Sequence, residues 1–178
     1  RSVIDALQRL GAKPVLTADP EVILSADKVI LPGVGHASAA MEELDKRSLM
    51  DTIHQITKPF LGVCLGMQIM LEHSEEGNTP CLGLIPGTVM KFESATEKIP
   101  HMGWNTVQNS DDVLWEGIDP RSYFYFVHSY YVPQSNFTIA ATNYILPFSA
   151  AIRKDNFWGV QFHPEKSASI GETLLMNF

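Results

Sequence analysis

Cysteine is scarce in this chain, and acidic residues outnumber basic ones. The two cysteines stand 17 positions apart among 178 residues, which leaves no CxxC motif and no dense disulfide framework. The 13 Lys and Arg are scattered, and against 20 Asp and Glu they leave a net charge of -7, which argues against a nucleic-acid footprint. We therefore expect a small molecule or another protein as the binding partner.

Long apolar runs are also missing. The longest apolar stretch, residues 59–71, is interrupted by two glycines and falls short of the roughly 20 residues that a membrane span requires, so we expect no membrane partner. No signal peptide precedes the first residue, and together with the low cysteine content this predicts a cytoplasmic location. No repeat or low-complexity linker divides the chain, so we expect residues 1–178 to form a single domain.

The first half of the chain alternates between strand and helix patterns. We predict a capped helix at residues 2–11, a strand at 14–17, a helix opened by Asp19 and Pro20, a strand at 28–31, and helices near 37–44 and 49–56. This order is typical of a doubly wound, mostly parallel α/β sheet. After Gly77 short β-rich pieces predict an antiparallel extension, including a hairpin that turns at Asp155 and Asn156, and a closing helix at 169–178.

A short apolar run ends in Gly-x-Cys-x-Gly at residues 62–66. Glycines on both sides of Cys64 leave room for a sharp turn from a strand into a helix, as in a nucleophile elbow. A helix predicted at residues 65–72 would place the thiol at its N-terminus, where the helix dipole favours the thiolate. The alternative interpretation is a buried structural cysteine in a core strand.

A second polar corner, His163-Pro164-Glu165, follows the last predicted strand. A cysteine nucleophile needs an imidazole that takes its proton and later returns it to a leaving amine, and His163 fits that role. Glu165 could accept a hydrogen bond from the other ring nitrogen and so fix the tautomer. Taken alone, the same three residues are also compatible with an ordinary surface turn.

The two motifs together, Gly-x-Cys-x-Gly-x-Gln at 62–68 and Gly-x-Gln-Phe-His-Pro-Glu at 159–165, resemble the class I (triad) glutamine amidotransferases. The segments at residues 31–36, 100–105 and 124–130 further resemble the glutaminase subunits of imidazole glycerol phosphate synthase, which act in histidine biosynthesis. The resemblance covers nearly the whole chain. It implies a single glutamine amidotransferase domain with a Cys64, His163 and Glu165 triad, and no cofactor or metal.

The resemblance also implies a mechanism. Cys64 would attack the side-chain amide of glutamine to give a thioester and ammonia, and water would then release glutamate. The oxyanion would be held by the N–H of Leu65 and by one N–H from Gly33, Val34 or Gly35. Family analogy makes Gln68 a substrate contact, and the backbone around Ser129 and Tyr130 would hold the amino-acid end of glutamine.

The partner implied by the resemblance is a cyclase subunit with a (β/α)₈ barrel, which would use the ammonia to make imidazole glycerol phosphate and AICAR. Trp104 and Lys166 are the candidate interface residues of this heterodimer. Trp104 could instead belong to the core, and Lys166 could be an ordinary solvated lysine. Alternatives for the whole chain are a glutaminase subunit of anthranilate or pyridoxal phosphate synthase, a hydrolase acting on peptides or esters, and a catalytically silent binding module of the same fold.

Several other polar residues receive structural interpretations. His36, His54 and His73 lack ligand spacing, so we favour capping or solvent-facing roles over metal binding. Cys81 has no neighbouring base in the sequence, and His128 is a rival base without an adjacent carboxylate. The family normally begins with a central strand and a polar loop, and both are expected to be missing from this sequence.

Overall fold

The computed structural model describes residues 2–178 as a mixed α/β fold. Its helices are α1 (Ser2–Arg9), α2 (Pro20–Ser25), α3 (Ala37–Lys46), α4 (Met50–His54), α5 (Leu65–Gln68) and α6 (Ala168–Asn177), with 3₁₀ turns at Val113–Trp115 and Pro164–Lys166. Its strands are β1 (Val29–Gly33), β2 (Phe60–Cys64), β3 (His73–Ser74), β4 (Thr79–Pro80), β5 (Thr88–Lys91), β6 (His101–Thr106), β7 (Gln108–Asn109), β8 (Tyr123–His128), β9 (Tyr130–Tyr131), β10 (Thr138–Tyr144), β11 (Leu146–Lys154) and β12 (Phe157–Val160).

The main sheet has the strand order β1-β2-β12-β11-β10-β7. β1 pairs in parallel with β2, and β2 pairs in parallel with β12. β11, β10 and β7 extend this parallel part with antiparallel pairings. The expected α/β sheet with an antiparallel extension is confirmed, and the turn between β11 and β12 places Asp155 at a φ of 53°, as the predicted hairpin requires.

β2 lies inside the sheet and all five of its residues are buried. Phe60 packs into an apolar cluster with α3, α4 and α5, whereas Leu61 and Val63 face a second cluster that contains Phe124, Phe162 and residues of α6. Neighbouring residues of a strand point to opposite faces of the sheet, so β2 contributes to both clusters. Burial on both faces is the arrangement expected of a doubly wound sheet.

The predicted strand at residues 14–17 is wrong, because this segment has no regular secondary structure. Its Val15 and Leu16 side chains are 73% and 84% exposed. A strand forms only where its backbone groups find partners, and within residues 2–178 β1 pairs with β2 alone and forms the edge of the main sheet. The central strand with which the family normally begins has no counterpart among residues 2–178.

A cavity of about 1060 Å³ runs along this edge, lined by α1, residues 12–17, α2, β1 and α6. The Pro164–Lys166 turn reaches the same cavity through Glu165.

None of the helices within residues 2–178 combines the length and hydrophobicity that crossing a membrane would take.

Candidate active site

Cys64 is the last residue of β2 and stands directly before α5. Its φ of 55° and ψ of -110° are unusual for a residue with a side chain, and such strain is characteristic of functional turns. The flanking glycines are required by packing as well: a Cβ at Gly66 would collide with the carbonyl of Leu31, and one at Gly62 would collide with Met70. The sharp turn predicted from the sequence is therefore present.

The helix after Cys64 is shorter than the prediction of residues 65–72. It ends at Gln68, and the next carbonyls, those of Ile69, Met70 and Leu71, accept hydrogen bonds from Leu82, Leu84 and Gly83. The N–H groups also leave the α-helical pattern, because Met70 and Leu71 donate to carbonyls three residues back and Glu72 donates to Gly87. The α-helical hydrogen bonds therefore do not continue to residue 72. A helix of four residues also has a smaller dipole than the sequence pattern suggested.

His163 follows β12, and the parallel pairing of β12 with β2 brings it to the same end of the sheet as Cys64. The Nδ1 atom of His163 lies 2.9 Å from Oε1 of Glu165, and both side chains are 4% exposed. This contact leaves Nε2 of the imidazole for the thiol side of the site. The second carboxylate oxygen of Glu165 is buried and has no hydrogen-bond partner within the described residues.

The protonation of this pair is set by competing effects. Burial, the largest influence, would lower the pKa of His163, but contacts with Cys64 and Glu165 and the negative charge on both raise it from 6.5 to about 9. Burial would likewise raise the pKa of the Glu165 carboxyl, yet the hydrogen bond to His163 and its positive charge lower it. At neutral pH the structure therefore favours a charged imidazolium beside a carboxylate.

Cys64 and His163 line a pocket of about 350 Å³, a size suited to a small molecule. The other residues around it are Val34, Gly35, Leu65, Gln68, Glu76, Pro100, Val127, His128, Ser129 and Tyr130. Val34, Gly35, Leu65, Gln68, Ser129 and Tyr130, all expected from the sequence, are thus gathered around Cys64. Gly33 lies outside this lining, in β1, where its backbone packs against Leu65 and Gly66.

Gln68, the last residue of α5, also lines the pocket. Its Nε2 atom donates to the carbonyl of Tyr130 and to Oε1 of Gln161, both at 3.0 Å. The Nε2 atom of Gln161 in turn lies 3.7 Å from Sγ of Cys64. The Tyr130 carbonyl also contacts Nδ1 of His128 at 2.7 Å, so two donors already occupy it.

Sequence reasoning missed Glu76 and the role of Gln161. Glu76 supplies the acidic side chain of the pocket lining, and its Oε2 accepts from the N–H of Ala37 at 2.7 Å. No local motif marks Glu76, because it reaches the pocket from the loop after β3. Gln161 did carry a signal, since it stands two residues before His163 and alternate residues of an extended chain share a face.

His128 is not poised to act as a base. Its Nε2 atom contacts Nδ1 of His101 at 2.9 Å, so both of its ring nitrogens are engaged. Burial lowers the pKa of His128 to about 3 and the pKa of His101 to about 4. Both rings are therefore neutral at physiological pH.

The remaining polar residues mostly have structural environments. The His36 ring accepts from the N–H of Ser38 as the cap of α3, which confirms a capping role. Burial, aided by the charge of Glu76, raises the pKa of Cys81 to about 11, so its thiol is far less reactive than an ordinary cysteine. Among residues 2–178 no group of three His, Cys, Asp or Glu is arranged to hold a metal ion.

The candidate interface residues lie together on the surface. Trp104 is 53% exposed, which rules out the core alternative, and its ring packs edge-on against Tyr125 at 6.0 Å. Nζ of Lys166 lies over the same Tyr125 ring, 5.9 Å from its centre. Met102, on the same face of β6 as Trp104, is 63% exposed.

Comparison with known proteins gives a consistent assignment. The family described as "Glutamine amidotransferase class-I" matches residues 1–178. The imidazole glycerol phosphate synthase subunit HisH of Bacteroides thetaiotaomicron is 51% identical over 180 residues, covering 100% of this chain and 92% of that protein. The HisH subunit of Escherichia coli K12 is 50% identical over 179 residues, covering 99% of this chain and 91% of its own length.

Solved structures agree on the fold. A crystal structure of a glutamine amidotransferase superposes with a TM-score of 0.74 at 17% identity, covering 99% of this chain and 89% of that chain. The glutaminase domain of Trypanosoma brucei CTPS with bound acivicin gives a TM-score of 0.67 at 16% identity, with coverages of 99% and 86%. With its full-length family match and these relatives, the chain belongs to the class-I glutamine amidotransferase family.

Proposed function

We propose that this chain is the glutaminase subunit of an imidazole glycerol phosphate synthase, and that it hydrolyses glutamine to glutamate and ammonia with a Cys64, His163 and Glu165 triad. Identity of about 50% to HisH subunits over nearly the whole chain supports the pathway assignment. The single observation that carries the chemistry is the strained Cys64 at a pocket shared with the His163–Glu165 pair. We place the activity in one domain spanning residues 1–178, in the cytoplasm.

In the first half-reaction Sγ of Cys64, whose proton has passed to His163, attacks the amide carbon of glutamine. The carbonyl oxygen becomes an oxyanion, which the N–H groups of Leu65 and of Val34 or Gly35 would stabilise. These three residues line the pocket beside Cys64, whereas Gly33 does not. Removing one such donor typically costs about 10²- to 10³-fold in rate.

Collapse of this intermediate breaks the carbon–nitrogen bond and leaves a thioester on Cys64. The imidazolium of His163 gives its proton to the departing nitrogen, so that ammonia leaves. Water then attacks the thioester while His163 accepts a proton from it, and the second intermediate releases glutamate and the sulfur. Glu165 orients the imidazole throughout and stabilises its positive charge.

The amino-acid end of glutamine carries an ammonium and a carboxylate. Glu76 is the acidic residue of the pocket lining and would attract the ammonium group. The Tyr130 carbonyl already accepts from Gln68 and His128. Ser129 and Tyr130 would therefore contribute backbone N–H groups, which suit the carboxylate, and Gln68 would contact the substrate from its side of the pocket.

The ammonia acceptor would be a cyclase subunit with a (β/α)₈ barrel that forms imidazole glycerol phosphate and AICAR. We propose that it docks on the patch of Met102, Trp104, Tyr125 and Lys166. Exposed aromatic side chains beside a cation are common anchors of protein interfaces. This patch adjoins the catalytic corner, because Lys166 directly follows Glu165.

The test is the release of glutamate from glutamine by the isolated chain, with and without a candidate cyclase subunit and its bound nucleotide ligand. We expect slow release by the isolated chain and a large increase in kcat on adding the liganded cyclase. The Trp104→Ala variant should need a higher cyclase concentration for the same increase. Glutamate release that stays at background with every cyclase preparation would contradict the proposal.

A further inference from the structure

Besides His163, the sulfur of Cys64 has two polar neighbours, of which one is a hydrogen-bond acceptor and the other a hydrogen-bond donor. Sγ lies 3.9 Å from the carbonyl oxygen of Val127 and 3.7 Å from Nε2 of Gln161. A carbonyl oxygen can only accept a hydrogen bond, so Val127 interacts favourably with the protonated thiol. An amide N–H can only donate, so Gln161 interacts most strongly with the thiolate.

The orientation of the Gln161 amide follows from the atoms that surround it. The Tyr130 carbonyl accepts only, so the group of Gln68 that faces it at 3.0 Å must be its NH₂. The same NH₂ lies 3.0 Å from Gln161, which must therefore present its oxygen there. The nitrogen of Gln161 is left on the other side, where it faces the sulfur of Cys64.

Gln161 is held in this position by complete burial. Its exposure is 0%, and its backbone N–H donates to the carbonyl of Ala150 at 2.8 Å. Its neighbours Val160 and Phe162 are also 0% exposed. The amide therefore cannot turn outward to water, and the donor is aimed at the sulfur before the substrate arrives.

We propose that Gln161 is a further catalytic residue, whose amide N–H donates to the Cys64 sulfur and stabilises the thiolate that attacks and later leaves the substrate carbon. The proposal rests on the proposed glutamine hydrolysis and adds a donor to it. The sulfur becomes negatively charged when its proton passes to His163, and the negative charge returns when the thioester breaks. A donor that stays in place during both steps lowers the energy of that charge without any rearrangement.

Other titratable groups also surround Cys64. His163 approaches from the corner after β12, His128 approaches from β8, and Glu76 approaches from the loop after β3. His128 is neutral because burial lowers its pKa to about 3, so it adds no charge near the sulfur. His163 and Glu76 are unchanged by substitution of Gln161, which makes the contribution of the amide separable.

The test measures Cys64 directly and does not depend on glutamine turnover. In a Cys81→Ser background, the rate of alkylation by iodoacetamide is followed from about pH 5 to about pH 9, because only the thiolate reacts. Gln161→Met keeps the length of the side chain and removes the donor. We expect its alkylation to be about tenfold slower at about pH 6, which corresponds to a profile displaced upward by about one pH unit.

Three further variants keep the result interpretable. Gln161→Glu keeps the shape but replaces the donor with a carboxylate, so it should react more slowly than Gln161→Met, and it decides the question if Gln161→Met does not fold. Gln68→Met leaves Gln161 in place but removes the group that orients it, so its reactivity should be intermediate. Thr142→Val, which removes a buried hydroxyl that bonds to Thr106, is the matched control and should leave the profile unchanged.

An unchanged alkylation profile in a folded Gln161→Met or Gln161→Glu protein would overturn the proposal. That result would leave the glutaminase assignment intact if the parent protein releases glutamate. Conversely, absence of glutamate release by the parent protein would remove the proposed function, while the alkylation rates would still report whether Gln161 stabilises the sulfur anion.

Discussion

At the residue scale, the chemistry depends on how His163 is held between a thiol and a carboxylate. Nδ1 of His163 lies 2.9 Å from Glu165, and both side chains are shielded from water. The imidazole must change its protonation state in each half-reaction, whereas Glu165 only orients the ring and stabilises its charge. The two residues therefore make unequal contributions.

We expect His163→Asn to be more damaging than Glu165→Gln. Loss of the imidazole removes proton transfer from both half-reactions and should lower kcat by about 10²- to 10⁴-fold. Glu165→Gln keeps the ring and should retain more activity. Steady-state glutamate release in the presence of the cyclase compares them, and equal rates for the unchanged protein and His163→Asn would remove His163 from the mechanism.

Glu76 offers a second test at this scale. Glu76→Gln keeps an oxygen for the Ala37 N–H but removes the negative charge, so we expect weaker binding of the substrate ammonium. KM for glutamine should rise about tenfold or more, with a smaller change in kcat. Glu75→Gln, on the neighbouring residue outside the pocket lining, is the control. An unchanged KM in Glu76→Gln would exclude this contact.

At the element scale, the close packing of β1 against α5 shapes the pocket around Cys64. β1 and α5 approach so closely that a Cβ at Gly33 would lie 2.7 Å from the nitrogen of Gly66 and 2.8 Å from Cβ of Leu65. Gly35, by contrast, has a φ of 101° and open space around it. Gly33 thus permits packing, whereas Gly35 permits an unusual backbone conformation beside the pocket.

Alanine at these two positions should separate the roles. Gly33→Ala should lower the free energy of unfolding by about 1–3 kcal/mol through overpacking. Gly35→Ala meets no neighbour but disfavours the positive φ, so its main effect should be a loss of kcat as the Val34 peptide reorients. Denaturant unfolding and glutamate release measure both effects. Native stability in Gly33→Ala would contradict the packing account.

The elements that the sequence predicted correctly are those with local signals. Asp19 and Pro20 begin α2, and Asp155 makes the turn between β11 and β12. The errors concern long-range pairing: residues 14–17 have strand-like composition but no partner, and α5 stops early, with the N–H of Glu72 donating to Gly87 instead of Gln68. Neither pairing can be deduced from the neighbouring sequence.

The candidate site shows the same division. Cys64, His163 and Glu165 could be located from motifs, because a nucleophile, a base and its carboxylate have recognisable neighbours in the chain. Glu76 left no such signal, and the position of Gln161 two residues before His163 did not indicate what its amide would contact. Both depend on which loops and strands meet at the pocket, and only the folded chain determines that.

At the scale of the whole molecule, two buried histidines make stability depend on pH. His101 of β6 and His128 of β8 are cross-strand neighbours, and burial lowers their pKa values to about 4 and about 3. Below pH 6.5 the unfolded chain gains protons that the folded chain does not. The stability that these groups contribute is therefore complete above the unfolded pKa of 6.5 and is lost as pH falls through about 4 for His101 and about 3 for His128.

We expect the free energy of unfolding to fall by on the order of a few kcal/mol as pH decreases across this window. His163 does not add to this loss, because its raised pKa removes stability only as pH rises through about 9. His101→Phe should show a weaker acid dependence, since one titrating ring is gone. Urea unfolding at several pH values measures the slopes, and parallel slopes for the two proteins would refute the assignment.

The central claim is that Cys64 forms the covalent bond to glutamine, and a glutamine-like electrophile tests it most directly. We expect a chloroketone analogue of glutamine, followed by peptide mapping, to modify Cys64 and to spare Cys81, whose pKa is raised to about 11. Excess glutamine should protect Cys64, and the folded Cys64→Ala variant should be neither modified nor active. Equal labelling of Cys81, or full glutamate release by Cys64→Ala, would contradict the account.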